Sequence, residues 1–204
     1  MIPISKPVAI RAASWLKRTF GADMAAAGNG TPFSVDLMCG IACKETAVHW
    51  VNWINDRSAD EILSLCVFDA SGDYPGTRRS AFPRDTAAFR ARYDEPFTAM
   101  LIEEANRARR VRHLADAQWV YKGYGIFQYD LQHVTADESF FRDKQWYRFA
   151  PCLDRLMREL GQKWTSSGHD LWKTIKAYNG SGSAATEYAN DVTQLTSYCA
   201  EAQP

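Results

Sequence analysis

Apolar residues recur at three- and four-residue spacing through most of this chain, and the strict alternation of a half-buried strand is scarce. That periodicity predicts a mainly α fold, a helical domain with at most a small irregular strand region where glycines interrupt the pattern. With 204 residues, 46% of them hydrophobic, the chain can bury one sizeable core and reads as a single domain over 1–204. The spacing predicts a first helix over 7–20, stopped at Gly21, and a turn at Gly28–Gly30. Thr31 before Pro32 reads as an N-cap with proline at the first helical position, opening a second helix that runs to about Asn52. Ser58 with Glu61 is a capping-box pattern for a short helix over 59–67. Residues 69–84 hold two glycines, two prolines, two aspartates and three arginines, and read as a loop. Asp85 caps a long helix over 86–116 that Pro96 kinks or divides. Trp119–Asp130 is too rich in glycine for a helix and predicts a short strand or irregular turn. Helices over 137–162, broken near Pro151, then 169–178 and 184–199 complete the chain, with 179–183 as a turn.

Charge narrows the partners. Lysine and arginine number 24 and so do aspartate and glutamate, so the overall excess of positive charge that a nucleic-acid partner demands is missing. One local run is basic, Arg107–His113; it reads either as a solvated helix face beside Glu103, Glu104 and Asp116 or as a contact for an anionic ligand. No apolar stretch approaches the 18 residues of a membrane span. The five cysteines, Cys39, Cys43, Cys66, Cys152 and Cys199, are odd in number and form no CxxC. Buried free thiols are the expected reading, a bridge from Cys66 or Cys152 to Cys199 the alternative. The four histidines, His49, His113, His133 and His169, are scattered, so neither a metal nor an organic cofactor is expected. The glycine patterns of serine hydrolases, P-loops and dinucleotide folds are missing from the sequence.

One carboxylate sits where the pattern calls for core. Glu45 lies in Cys39–Trp50, with Ile41, Ala42 and Cys43 before it and Ala47, Val48 and Trp50 after it. On a continuous helix its neighbours at three and four residues are Ile41, Ala42, Val48 and His49. A carboxyl group held there is desolvated, which favours its neutral form and raises its pKa, as a general acid working near neutral pH requires. The competing reading turns Glu45 outward to pair with Lys44, Lys122 or an arginine.

Three short stretches then line up in order: Glu45-Thr46 at the end of an apolar run, Gly125-Ile126-Phe127-Gln128, and Ala177-Tyr178-Asn179-Gly180, followed by Tyr188 and Val192. Their order and content resemble the lysozyme-like domain of goose-type lysozymes and soluble lytic transglycosylases, over roughly residues 33–195. Two features depart from that pattern: Thr46 stands where serine is usual, and about 80 residues separate the first two motifs, with 69–117 reading as an insert. The resemblance implies a glycosidase that cleaves the glycan strand of peptidoglycan, with Glu45 as the general acid and no cofactor. It implies that Thr46, Gly125, Phe127 and Gln128 line a groove, that Tyr178 orients Glu45, and that Asn179 serves an N-acetyl group or the turn. Inverting hydrolysis wants a second carboxylate across the bond, and Asp69 and Asp73 are the two candidates, although turn formation explains either of them. A lytic transglycosylase needs no such base. Alternatives are an enzyme acting on chitin or chitosan, and a glycan-binding or toxin-delivery module without chemistry. The N-terminal segment has charges inside its apolar part and reads as an amphipathic helix, not a secretory signal. An enzyme acting in the periplasm or cell wall would then be made in the cytoplasm and exported or injected by another route, as type VI muramidase effectors are, with an immunity or inhibitor protein occupying the groove.

Overall fold

The computed structural model describes residues 2–70 and 72–204; Ser71, inside the expected loop, lies outside them. In chain order the elements are α1 (Lys6–Gly28), α2 (Val35–Glu45), α3 (Ala47–Trp50), α4 (Ala59–Ser64), β1 (Val67–Ala70), α5 (Thr86–Arg90), α6 (Glu95–Arg110), β2 (Tyr121–Tyr124), β3 (Tyr129–Asp130), α7 (Glu138–Arg142), α8 (Phe149–Ser166), α9 (Leu171–Asn179) and α10 (Gly182–Ala200). Two 3-10 turns, Leu131–Thr135 and Gln145–Tyr147, flank α7. The fold is mainly helical, with one small antiparallel sheet in the order β1-β2-β3. The described residues form two compact units: the chain up to Arg57 with Leu153–Pro204, and Ser58–Cys152, which contains the insert-like stretch 69–117. The division falls inside α8.

Local signals account for most helix ends. The Ser58–Glu61 capping box is complete, with Ser58 Oγ accepting from the Glu61 amide and the Glu61 carboxylate accepting from the Ser58 amide. Asp85 accepts from Ala88 N at 2.7 Å and starts α5. Pro96 divides the long helix expected over 86–116, because Asp94 caps a new helix with proline in its first turn. Gly21 and Thr31 do not act as expected. Gly21 does not stop α1: a helical glycine costs about 1 kcal/mol, and the helix formers that follow bring Met24 to full burial. Thr31 is not the cap of α2; its hydroxyl donates to Gly28 O at 2.8 Å, and Ser34 caps instead, accepting from Leu37 N at 3.1 Å.

In the first unit α2 packs against α1 and α10. The α2–α10 contact is antiparallel, since successive pairs along it are Gly40–Thr196, Lys44–Asp191 and Glu45–Tyr188. Gly40 is the closest approach: a Cβ there would lie 2.6 Å from Thr196 Oγ1 and 3.0 Å from its backbone nitrogen. In the second unit Tyr124, Tyr129, Phe140, Phe141 and Trp146 pack largely edge to face under the sheet. Its one fully buried carboxylate among the described residues, Glu104, accepts from Lys144 at 2.6 Å, Arg107 at 2.7 Å and Tyr147 at 2.6 Å. All five cysteines are buried free thiols, so the alternative of a bridge to Cys199 is not realised.

Gly40→Ala forces α2 off Thr196, and overpacking of this kind costs about 1–3 kcal/mol. Urea unfolding should show the free energy of unfolding falling by that amount, as a lower midpoint at constant slope. A fully tolerated alanine would mean that the seam gives freely.

Candidate active site

Glu45 is the last residue of α2 and is half-buried. The helix stops there because Thr46 turns to φ −138°, ψ −14°, while its amide still bonds Ala42 O at 3.0 Å. The Thr46 hydroxyl donates back to Ala42 O at 3.3 Å and accepts from Trp50 Nε1 at 2.8 Å. A fully buried hydroxyl engaged on both sides holds the helix end and leaves little for a ligand. The expected helix through to Asn52 is therefore interrupted, with α3 starting afresh at Ala47. This changes the surroundings of Glu45. Ile41 and Ala42 are fully buried as expected, but Val48 is 46% exposed, so the apolar wall stands on the N-terminal side of the carboxylate only.

A phenol completes the site. Tyr188 Oη donates to Glu45 Oε1 at 2.5 Å, and the Tyr178 ring lies 6.3 Å from the Tyr188 ring, tilted by 33°. Lys44, next in sequence to Glu45, is taken up by Asp191 at 2.7 Å and passes over the Tyr188 ring at 5.9 Å. Burial opposes the Asp191 charge, but the hydrogen bond and charge of Lys44, together with other nearby positive charge, outweigh it and leave the carboxyl below its usual range. The Tyr178 and Tyr188 phenols are pushed well above the ordinary value, first by burial and then by the Glu45 charge, with Glu159 of α8 acting in the same direction. Sequence reasoning named Tyr178 as the residue that orients Glu45, and it missed Glu159. Tyr188 had appeared only as part of a helix pattern. Asn179 ends α9 in an exposed position, as a helix-stop reading of Asn-Gly predicts.

The other named residues lie in the second unit. Gly125, with φ 79°, opens the β2–β3 turn; a Cβ there would meet Cys152 Sγ at 2.6 Å. Its close approach is therefore to the protein's own side chains. Phe127 is buried against Phe149, with ring centroids 5.8 Å apart. Gln128 folds its amide inward, donating to Gly125 O at 2.8 Å, while its Oε1 is buried without a partner. Asp73 accepts from Thr86 N at 2.9 Å and Thr86 Oγ1 at 2.8 Å, which ties the loop to the start of α5. Asp69 is largely exposed and lies 3.8 Å from Lys122. The structure thus brings Glu45, Tyr178 and Tyr188 together, and separately Gly125, Phe127 and Gln128. No protein-family model, no curated protein and no solved structure matches this chain.

Raised phenols and thiols set an alkaline limit. The thiols of Cys39 and Cys66 are pushed up by burial, and that of Cys43 first by its hydrogen bond with Cys199. Unfolding frees thiols that ionise near 9.0 and phenols that ionise near 10.0, while the folded groups keep their protons. The unfolded state then binds fewer protons, so stability falls as pH rises. The denaturant midpoint should be insensitive to these groups between pH 7 and 9, decline above 9 and steepen above 10. A midpoint constant to pH 11 would contradict this.

Proposed function

We propose that this chain is a glycosidase that cleaves the MurNAc–GlcNAc glycan strand of peptidoglycan with Glu45 as the general acid. The observation that carries the reading is the pairing of Glu45, half-buried at the end of an apolar helix, with the Tyr188 hydroxyl at 2.5 Å. A carboxyl group held by the Tyr188 hydroxyl and walled by Ile41 and Ala42 on one side is oriented to hand its proton to a glycosidic oxygen. Proton transfer from Glu45 to that oxygen breaks the C1–O bond and leaves an oxocarbenium-like centre. Water attacking C1 gives a reducing end. The C6 hydroxyl of the same sugar, attacking C1 as it loses its proton to the Glu45 carboxylate, gives a 1,6-anhydro end. Of the two candidate bases for the first route, Asp73 already accepts two hydrogen bonds from Thr86 and Asp69 is largely exposed. On this reading the protein works in the periplasm or cell wall, and a protein inhibitor would act by covering Glu45.

Digestion of purified sacculi followed by mass spectrometry of the muropeptides tests the reading. Wild-type protein should release glycan fragments, with the end group reporting water or C6 attack. Glu45→Gln should lower the rate by about 10²–10⁴-fold, the range of a general acid, without loss of fold by circular dichroism. Chitin oligomers cleaved in preference to sacculi would move the assignment to a chitinase or chitosanase. Undiminished cleavage by Glu45→Gln would remove Glu45 from the mechanism, and no cleavage of any glycan by the wild type would leave a binding or delivery module.

Tyr188→Phe removes the donor and keeps the ring. Its hydrogen bond to an ionised carboxyl stabilises the charged form by about 1.5–3 kcal/mol. The limb of the pH–rate profile that reports Glu45 should therefore move to higher pH, with kcat falling more than KM changes. A profile superimposable on wild type would remove Tyr188 from the mechanism.

A further inference from the structure

The basic run Arg107–His113 is unused by the glycosidase reading, and the second unit splits its arginines into two groups. Arg107 is held by Glu104, and Arg110 by Glu103 at 2.7 Å and Asp116 at 2.6 Å. Arg109 and Arg112 instead line an open pocket of about 390 Å³ with Asp69, Tyr74, Tyr121 and Lys122. Neither has a carboxylate in salt-bridge range among the described residues. Arg109 donates to Tyr121 Oη at 2.7 Å and Ala115 O at 2.5 Å, and its guanidinium lies 5.4 Å from the Trp119 ring. Arg112 donates through Nε to Ala108 O at 2.9 Å, lies over the Phe68 ring at 4.9 Å, and has a buried Nη2 with no hydrogen-bond partner. Burial holds this guanidinium below its ordinary range against the opposing pull of Tyr121; the like charge of Arg109 adds to the effect and Asp69 opposes it.

Three cations and one carboxylate, the exposed Asp69, therefore face one space. A second recess of about 320 Å³ shares Lys122, Thr77 and Ala70 with it and adds Arg78. Taking a guanidinium out of water without a counter-charge is costly, and an anion entering the pocket offsets that cost. The Tyr74 and Tyr121 rings line the pocket and suit the body of such a ligand, and Trp119 backs Tyr74 edge to face at 5.9 Å.

We propose that this pocket is an oxyanion-binding site, taking a carboxylate or phosphate group beside Arg109, Arg112 and Lys122, with the rest of the ligand against Tyr74 and Tyr121. The site uses none of the residues around Glu45, so it stands or falls separately from the glycosidase reading.

The test follows arginine Nε–Hε and tryptophan indole resonances of the full chain during titration with sodium phosphate and, separately, with succinate, against chloride at matched ionic strength. Saturable shifts of Arg109, Arg112 and Trp119 with either oxyanion, beyond those with chloride, are expected, and the tighter of the two identifies the source. Lys122→Ala, at a half-exposed position, should weaken binding roughly tenfold, the loss of one charge-assisted hydrogen bond. Asp69→Asn, which removes the one opposing carboxylate, should tighten it. The proposal is overturned if neither oxyanion saturates, if chloride moves the same resonances equally, or if affinity is unchanged in both variants.

Discussion

The first unit depends on how closely α2 and α10 can approach. Gly40 sets that distance, because only a missing side chain lets Thr196 and its backbone nitrogen come so near. Two antiparallel helices locked at that point have their register decided along the whole seam. Four and five residues beyond Gly40, at 1.5 Å per residue, α2 presents Lys44 to Asp191 and Glu45 to Tyr188. The Lys44–Asp191 pair is largely buried. Desolvation consumes most of the attraction in such a pair, whereas removing one partner strands the other. Its main effect is therefore on register: a slip of α10 by one turn would strand a charge as well as separate Tyr188 from Glu45.

What was legible in the sequence was local. The capping box at Ser58, the Asp85 cap and the division at Pro96 are read correctly because each depends on residues within one turn. Gly21 misleads because its helical penalty is small beside the burial of Met24, which a propensity reading cannot weigh. The break at Thr46 is hidden for a similar reason. Nothing in Glu45-Thr46-Ala47 forbids a helix, and the turn follows from a buried hydroxyl that finds both Ala42 O and the Trp50 indole. β1 falls partly within the stretch read as a loop, because its pairing partners, Val67 with Tyr124 and Ala70 with Tyr121, are more than fifty residues apart.

The same division holds for the site. Glu45 was visible as a carboxylate inside an apolar run, a conflict between local composition and charge. Tyr188 as its hydrogen-bond donor was not, since the choice between Tyr178 and Tyr188 depends on which way α10 faces. Gly125 and Gln128 show how a motif can have a sufficient structural cause. The glycine takes a positive φ and avoids Cys152, and the glutamine amide satisfies the Gly125 carbonyl of the same turn. Those contacts explain both residues without a ligand, so they add nothing to the case for sugar binding. That case rests on Glu45 and the two phenols.

Net charge hides a similar division in the second unit. The arginines of the basic run fall into pairs three residues apart, Arg107 with Arg110 and Arg109 with Arg112, and residues at that spacing share a helix face. The acids Glu103 and Glu104 precede the run by one turn, and both serve the first pair. Asp116, after the helix, also goes to Arg110. Helical period therefore neutralises one face completely and leaves Arg109 and Arg112 to phenol, carbonyl and ring contacts. A chain with equal numbers of acids and bases can thus carry a concentrated positive site, because the placement of charge on a helix decides the local field.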